Sequence, residues 1–186
     1  MAAATSRAIL DAYHLVVEAY WPQLHARMHE RAQRWSSASE EELQAELKGY
    51  VAETSLPDCP VRVFWKTGRD FTFAGCNEQF ARDAGMPRAE LIGLTDFDRR
   101  LPWKMQAAKY RADDQRVFDS GQADLDIVER QQSASGGITW VRAGKAPIRN
   151  ADGTVVGILG MYELLDAQRG PQLYAQRRQK KRTEPD

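Results

Sequence analysis

Apolar residues from Ile138 to Leu164 follow the pattern of two buried strands joined by a tight turn. The first strand opens with Ile138-Thr139-Trp140-Val141, a run rich in the β-branched and aromatic residues that strands favour. Asn150-Ala151-Asp152-Gly153 supplies the turn, because Asn and Asp bond their own backbone and Gly tolerates a positive φ. The pattern therefore predicts an antiparallel pair of strands.

The return strand is apolar on both of its faces. Side chains alternate between the faces of a strand. Alternation places Val156, Ile158 and Tyr162 on one face, and Val155, Leu159 and Met161 on the other. A sheet exposed on one side would alternate apolar with polar residues, so this strand should be covered on both sides.

The first 55 residues carry helical periodicity. One amphipathic helix is predicted from about Ser6 to Trp35, and Pro22 should kink it or split it in two. Ser39, followed by three glutamates, is a good N-cap for a second helix that runs to about Glu53. The apolar stripe of the first helix consists of Ile9, Tyr13, Val16, Val17, Tyr20, Leu24 and Met28.

Strands and helices then follow in the order of an α+β fold. Strands are predicted at Val61–Lys66, Phe71–Cys76 and around Leu125 and Ile127, short helices after Asn77 and Pro87, and a longer helix at Trp103–Asp119. In the third strand, Leu125 and Ile127 alternate with Asp124 and Asp126. Together with the two strands described first, this order predicts a five-stranded antiparallel sheet with short helices on one face.

Composition limits the function classes. With 186 residues, 42% of them hydrophobic, the chain can form one domain and an appendage, and its formal net charge of zero gives no global attraction for nucleic acid or anionic membrane. No apolar run has the roughly 18–20 residues of a membrane span, and no secretory signal is evident. Two cysteines are too few for a disulfide scaffold or a structural zinc site. A cytoplasmic location is therefore expected.

Residues from about Val61 to Leu164 resemble a PAS domain of the bacterial type found in sensor histidine kinases and cyclic-dinucleotide enzymes. The resemblance is carried, in order, by Val63-Phe64-Trp65-Lys66, Gly75–Ala81, Glu90–Asp98, Leu101-Pro102-Trp103, Tyr110–Asp114, Trp140-Val141-Arg142, Lys145–Ile148 and Gly153–Tyr162. We expect a helical extension at 1–56, the PAS domain at 57–165 and a basic tail at 166–186.

The resemblance implies a sensory or interaction module rather than an enzyme. In PAS domains the cleft between the sheet and the short helices can hold a small ligand, and the outer face packs an N-terminal helix or a second protomer. We therefore expect a homodimer that signals to a partner in trans; the alternative is that the N-terminal helices fold back within one chain. The dimer-interface candidates are Ile9, Tyr13, Val16, Tyr20, Leu159 and Met161.

Several residues are candidates for lining the cleft: Cys76, Asn77, Phe80, Trp103, Tyr110, Trp140 and Arg142. The aromatic residues could hold a planar ligand or simply fill the core. If Arg142 points inward beside Trp140, it could hold a carboxylate; the outward orientation is the favoured one. Cys76 precedes a helix N-terminus, which can lower a thiol pKa, but a buried structural cysteine is the preferred interpretation.

No particular cofactor is predicted. The long helix contains no histidine, which disfavours haem with the usual PAS ligation, and the Gly-x-Asn-Cys-Arg-Phe pattern of flavin-adduct relatives is absent. His25 and His29 share a helix face but have no completing ligand, so a solvated face is favoured and no metal is predicted.

Asp96 and Asp98 could form an acid–base or Mg²⁺ pair, but in similar sequences these acids are structural. We predict that Lys145 pairs with Asp96 or Asp98. Loss of this pair in Lys145→Ala should lower the melting temperature.

The tail Arg177-Arg178-Gln179-Lys180-Lys181-Arg182 is basic enough to contact nucleic acid or an acidic protein, although charged tails are commonly only solvated. Nucleic-acid binding is not the expected function, because no second reading element accompanies the tail. A ligand sensor, a ligand-free dimerisation scaffold and a nucleic-acid-associated regulator remain as three hypotheses.

Overall fold

The computed structural model describes residues 3–183, apart from the side chains of Tyr20 and Asp126. Its helices are α1 Ser6–Tyr20, α2 Pro22–Ala32, α3 Glu40–Thr54, α4 Glu78–Ala84, α5 Arg88–Leu91, α6 Ala107–Ser120 and α7 Arg169–Thr183. Its strands are β1 Val61–Thr67, β2 Thr72–Cys76, β3 Asp124–Gln132, β4 Ile138–Arg149 and β5 Val155–Leu165.

The strands form one antiparallel sheet in the order β2-β1-β5-β4-β3, so the predicted α+β class is confirmed. β5 lies at the centre of the sheet, which explains why it is apolar on both faces. Helices α4 and α6 pack on one face, called here the inner face, and α1 packs on the opposite, outer face.

A β-bulge in β5 changes which side chains point inward. Ile148 pairs with Gly157 but Arg149 pairs with Val155, so β5 has one extra residue. As a result Val156 joins the outer cluster of Leu159 and Met161, while Val155 packs on the inner cluster of Ile158. The predicted faces of Val155 and Val156 are therefore wrong.

A second bulge lies in β3, where Asp124 pairs with Lys145 and Ile127 pairs with Ala143. Two residues of β3, Leu125 and Asp126, thus oppose the single residue Gly144 of β4. Leu125 consequently packs on the outer cluster and Ile127 on the inner one, instead of sharing a face as simple alternation indicates.

The N-terminal helices cover the outer face of their own chain. Pro22 splits the helical stretch, as predicted, because it begins α2. Ser39 and Glu42 form a capping box at the start of α3.

The expected dimer interface is buried within one chain. Ile9, Tyr13 and Val16 of α1 belong to the same buried cluster as Leu159 and Met161 of β5. The structure therefore has the alternative in which the helices fold back, and these side chains are not available to a second protomer. The side chain of Tyr20, the remaining candidate, lies outside the described residues.

The C-terminal helix α7 packs against strands β3 and β4. Gly170 allows this close approach, since a Cβ there would lie 2.2 Å from Cγ of Trp140. The Trp140 and Tyr174 rings are 5.4 Å apart, and Pro171 lies in the first turn, where a proline is tolerated. Among the helices of residues 3–183, none combines the length and apolarity that a membrane span requires.

Candidate functional site

A small cavity lies between the inner face of the sheet and helices α4 and α6. Its volume is about 40 Å³, which is room for roughly three water molecules. Aromatic rings and polar side chains share its walls. The residues that line it are Phe64, Lys66, Phe73, Phe80, Asp96, Trp103, Tyr110, Glu129, Gln131, Val141, Ala143, Gly144, Lys145, Gly160, Met161 and Tyr162.

The aromatic wall depends on one glycine. Phe64 of β1 lies opposite Gly160 of β5, and a Cβ at that glycine would be 2.2 Å from Cζ of Phe64. The bare backbone therefore lets the Phe64 ring lie against the sheet. Phe80 lies 4.8 Å from the Phe64 ring and 5.4 Å from Trp103, distances typical of tilted aromatic packing.

A buried network of four charged side chains, three of which line the cavity, forms the polar wall. Lys66 Nζ donates to Asp96 at 2.5 Å and to Asp114 at 2.6 Å, and Lys145 Nζ donates to the second Asp114 oxygen at 2.6 Å. Lys66, Asp96, Asp114 and Lys145 are 1%, 4%, 0% and 5% exposed. Two ammonium groups and two carboxylates cancel in charge, which makes their common burial tolerable.

The network corrects the predicted ion pair. Lys145 pairs with Asp114 of α6, whereas Asp96 accepts from Lys66 and, at 3.0 Å, from Trp103 Nε1. Asp98 bonds Arg100 at 2.9 Å near the surface. Sequence reasoning missed Lys66 and Asp114. A signal existed, because Asp114 lies one helical turn from both Tyr110 and Val117 on the apolar face of α6.

The mutual charges of the network outweigh its burial. Burial opposes ionisation of Lys66, but Asp114 and Asp96 raise the pKa of its ammonium group above the ordinary value. Burial also opposes ionisation of Asp114, yet Lys66 and Lys145 lower the pKa of that carboxyl group. Both groups therefore remain charged at neutral pH.

The edge strand β3 adds two polar side chains to the cavity. Glu129 forms an ion pair with Lys109 of α6, and Gln131 Nε2 donates to the Tyr162 hydroxyl at 3.3 Å. That hydroxyl donates to Asp83 at 2.7 Å. Burial and the Asp83 carboxylate raise the pKa of Tyr162 well above its usual value, so Tyr162 is a neutral donor.

Three of the predicted cleft residues, Phe80, Trp103 and Tyr110, line the cavity. Cys76 does not line it; burial raises the pKa of its thiol to about 11, in agreement with a structural cysteine.

Asn77 links three backbone segments by hydrogen bonds and does not line the pocket. Its Oδ1 accepts from the Val63 and Phe80 backbone, and its Nδ2 donates to the carbonyls of Thr54 and Val61. It thereby connects the end of α3, the start of β1 and the first turn of α4. Its assignment to the cleft is wrong.

The assignment of Trp140 and Arg142 to the cleft is also wrong, because the register of β4 places both residues on the outer face. Arg142 pairs with Glu163 across β4 and β5, and its Nη2 lies 2.6 Å from the Glu163 carboxylate. The outward orientation favoured from the sequence is thus confirmed. Trp140 packs on α7 instead of on a ligand.

The break at Pro22 brings three histidines together. The ring of His14 lies 5.7 Å from that of His25, which lies 5.6 Å from His29. Burial and the neighbouring histidines lower the pKa of His14 to about 4. Linear spacing could not reveal this contact. Within residues 3–183, no set of three His, Cys, Asp or Glu side chains is arranged to hold a metal ion.

Comparison with protein families matches residues 54–169 to the family described as PAS fold. The chain belongs to the PAS family. This assignment agrees with the five-stranded sheet, the short helices on its inner face and the cavity between them. No curated protein matches the sequence of this PAS protein.

Solved structures with the same fold include the Vibrio cholerae VqmA dimer, a DNA-binding receptor of the LuxR type (21% identity over 65% of this chain and 52% of VqmA, TM-score 0.56). A phage VqmA–DPO complex has 22% identity over 71% of this chain and 58% of that protein, with a TM-score of 0.55. A light-oxygen-voltage domain studied with a flavin analogue has 14% identity over 73% of this chain and 96% of that domain, with a TM-score of 0.55. At these identities the likeness concerns the fold. The chain spans about half the length of the VqmA proteins.

Proposed function

We propose that this PAS domain is a sensory module that binds one small polar molecule in its inner cavity. The observation that supports the proposal is the inner cavity, where flat aromatic surfaces face hydrogen-bonding side chains. Concave pockets that combine apolar walls with a few convergent polar groups are the usual form of small-molecule sites. The fold is shared with VqmA bound to DPO, which is consistent with ligand binding in this scaffold.

The walls define the class of ligand. The charges of Lys66, Lys145, Asp96 and Asp114 cancel within the network, so the cavity has no excess charge to attract an ion. Aromatic rings favour a planar molecule, while Gln131 and the charged side chains favour one with hydrogen-bonding groups. A small, neutral, planar heterocycle fits these walls best.

Output through a partner completes the proposal. The module acts as a binding protein rather than an enzyme, in the cytoplasm, and passes its state to a partner in trans. VqmA is a dimer, and we retain homodimerisation as part of the proposal. Any dimer must use a surface other than Ile9, Tyr13 and Val16, because these residues are buried within the chain.

The test is native mass spectrometry and absorption spectroscopy of freshly purified protein, followed by thermal-shift screening of small heterocycles. Ala143→Leu extends a side chain into the cavity, whereas Ala89→Leu makes the same change on an exposed helix surface. We expect a bound or stabilising molecule with the wild type and with Ala89→Leu. Ala143→Leu should lose it.

A ligand-free scaffold is the second candidate, and the small size of the cavity favours it. Repeated absence of any bound or stabilising molecule would support the scaffold and overturn the sensor proposal. Retention of the molecule by Ala143→Leu would place the binding site elsewhere.

A further inference from the structure

An open groove of about 790 Å³ lies beside β3, between helices α6 and α7. It is separate from the inner cavity, although Glu129 borders both. Its lining residues are Gln106, Lys109, Asp113, Arg116, Asp124, Ile127, Val128, Glu129, Arg130, Trp140, Tyr174, Arg177, Arg178 and Lys181.

The groove is locally basic in a chain whose net charge is zero. Three carboxylates offset part of its charge, since Lys109 pairs with Glu129 and Arg116 pairs with Asp113 and Asp124.

Three other cations in the groove have no such compensation. Among the described residues, no carboxylate lies within ion-pair distance of Arg130, Arg178 or Lys181. These three side chains come from β3 and from successive turns of α7, so they are spread along the groove. The result is a lasting excess of positive charge.

Two aromatic rings lie among these cations. Trp140 and Tyr174 both line the groove, and the Tyr174 side chain is exposed. The guanidinium of Arg130 lies 5.9 Å from the Trp140 ring, and that of Arg178 lies 5.9 Å from the Tyr174 ring. Cation–π contact of this kind holds the charges beside the rings.

We infer that this groove binds single-stranded nucleic acid. Phosphates of a single strand meet the uncompensated arginine and lysine side chains, and an unpaired base stacks on the exposed aromatic surface. An acidic peptide would satisfy the charges but has no regular series of flat bases to match the rings. The inference rests on the groove alone and does not depend on a ligand in the inner cavity.

Fluorescence anisotropy with fluorescein-labelled oligothymidylate and oligouridylate, each about twelve nucleotides long, tests the inference. The groove variant combines Arg130→Gln, Arg178→Gln and Lys181→Gln. The matched control combines Arg34→Gln, Lys48→Gln and Arg99→Gln, which removes the same charge from positions outside the groove.

For three phosphate contacts, log K of the wild type should fall against log salt with a slope of about −2, from roughly −0.7 per contact. The groove variant should lose at least about tenfold in affinity at roughly 50 mM salt and most of this slope. The control should retain both. Equal losses in the two variants, or no binding by the wild type, would overturn the inference.

Tyr174→Leu separates base stacking from charge attraction. This variant should bind oligothymidylate severalfold more weakly but inorganic polyphosphate unchanged, because polyphosphate has no bases. Circular dichroism should confirm that α7 is retained. Equal weakening toward both probes would contradict base stacking, and an oligoglutamate peptide that competes as well as oligothymidylate would assign the groove to an acidic protein instead.

Discussion

Asp114 accepts hydrogen bonds from two lysines at 2.6 Å in the interior, one at each carboxylate oxygen. This carboxylate is the common partner of β1 and β4, which lie on either side of β5. A lysine in the core is costly unless it is paired, so the network is tolerated only as a complete set.

Removal of the shared carboxylate should therefore be more harmful than removal of one lysine. We expect Asp114→Ala to lower the free energy of unfolding by about 3–5 kcal/mol, since it leaves Lys145 without this partner and Lys66 with only Asp96. Lys145→Ala should also be destabilising, but less so, because Asp114 retains Lys66. Urea denaturation measures both.

Asp119→Ala on the same helix serves as a control, because its carboxylate pairs with Arg69 at the surface. Its loss should leave the urea midpoint nearly unchanged, because exposed ion pairs contribute little to stability. Equal stability of Asp114→Ala and Asp119→Ala would show that the network does not stabilise the fold.

At this scale the sequence identifies charged residues of the network but not their pairing. Lys145 and Asp96 both belong to it, yet each has a different partner from the one predicted. Pairing depends on which helix residue faces the sheet, and a helical aspartate such as Asp114 is normally expected at the surface.

Helices and strands are predictable where local chemistry fixes their ends. The capping box at Ser39, the glycine stop after α4 and the proline at the start of α2 all lie where the sequence indicates. The two β-bulges are not predictable, because each is set by pairing with β4 rather than by the local pattern. The bulge in β5 reverses the expected faces of Val155 and Val156. The bulge in β3 places Leu125 and Ile127 on opposite faces instead of on the same one.

Burial of His14 near the break between α1 and α2 should make the free energy of unfolding depend on pH. Burial lowers the pKa of His14 to about 4, against about 6.5 for a free imidazole, so the unfolded chain binds more protons between these values. The free energy of unfolding should therefore fall as the pH drops from about 6.5 towards about 4. Thermal melts of wild type and His14→Gln measure this effect.

The difference between wild type and His14→Gln should shrink or change sign across that pH window, since Gln does not titrate. Parallel pH curves for the two proteins would show that His14 is not the group responsible.

At the scale of the whole molecule, α1 is an integral part of the core and not an accessory arm. Val16 is fully buried against the sheet of its own chain, whereas Leu15, one position away, is 43% exposed. The sequence predicts the amphipathic stripe but cannot decide between a neighbouring protomer and the same chain.

Val16→Asp should therefore destabilise the protein by about 3 kcal/mol or more, because it buries an unpaired charge. The loss should be the same at every protein concentration, since α1 docks within one chain. Leu15→Asp, the matched control, should change stability by about 0.5 kcal/mol or less. Thermal melts over a wide concentration range decide the matter, and a concentration-dependent loss would indicate docking between chains.

Glu129 of β3 lies between the inner cavity on one side and the basic groove on the other. A guest that hydrogen-bonds this carboxylate competes with Lys109, its present partner. Release of that lysine would add a fourth unmatched positive charge to the groove. Binding in the inner cavity would then change the electrostatic potential of the groove on the other side of β3.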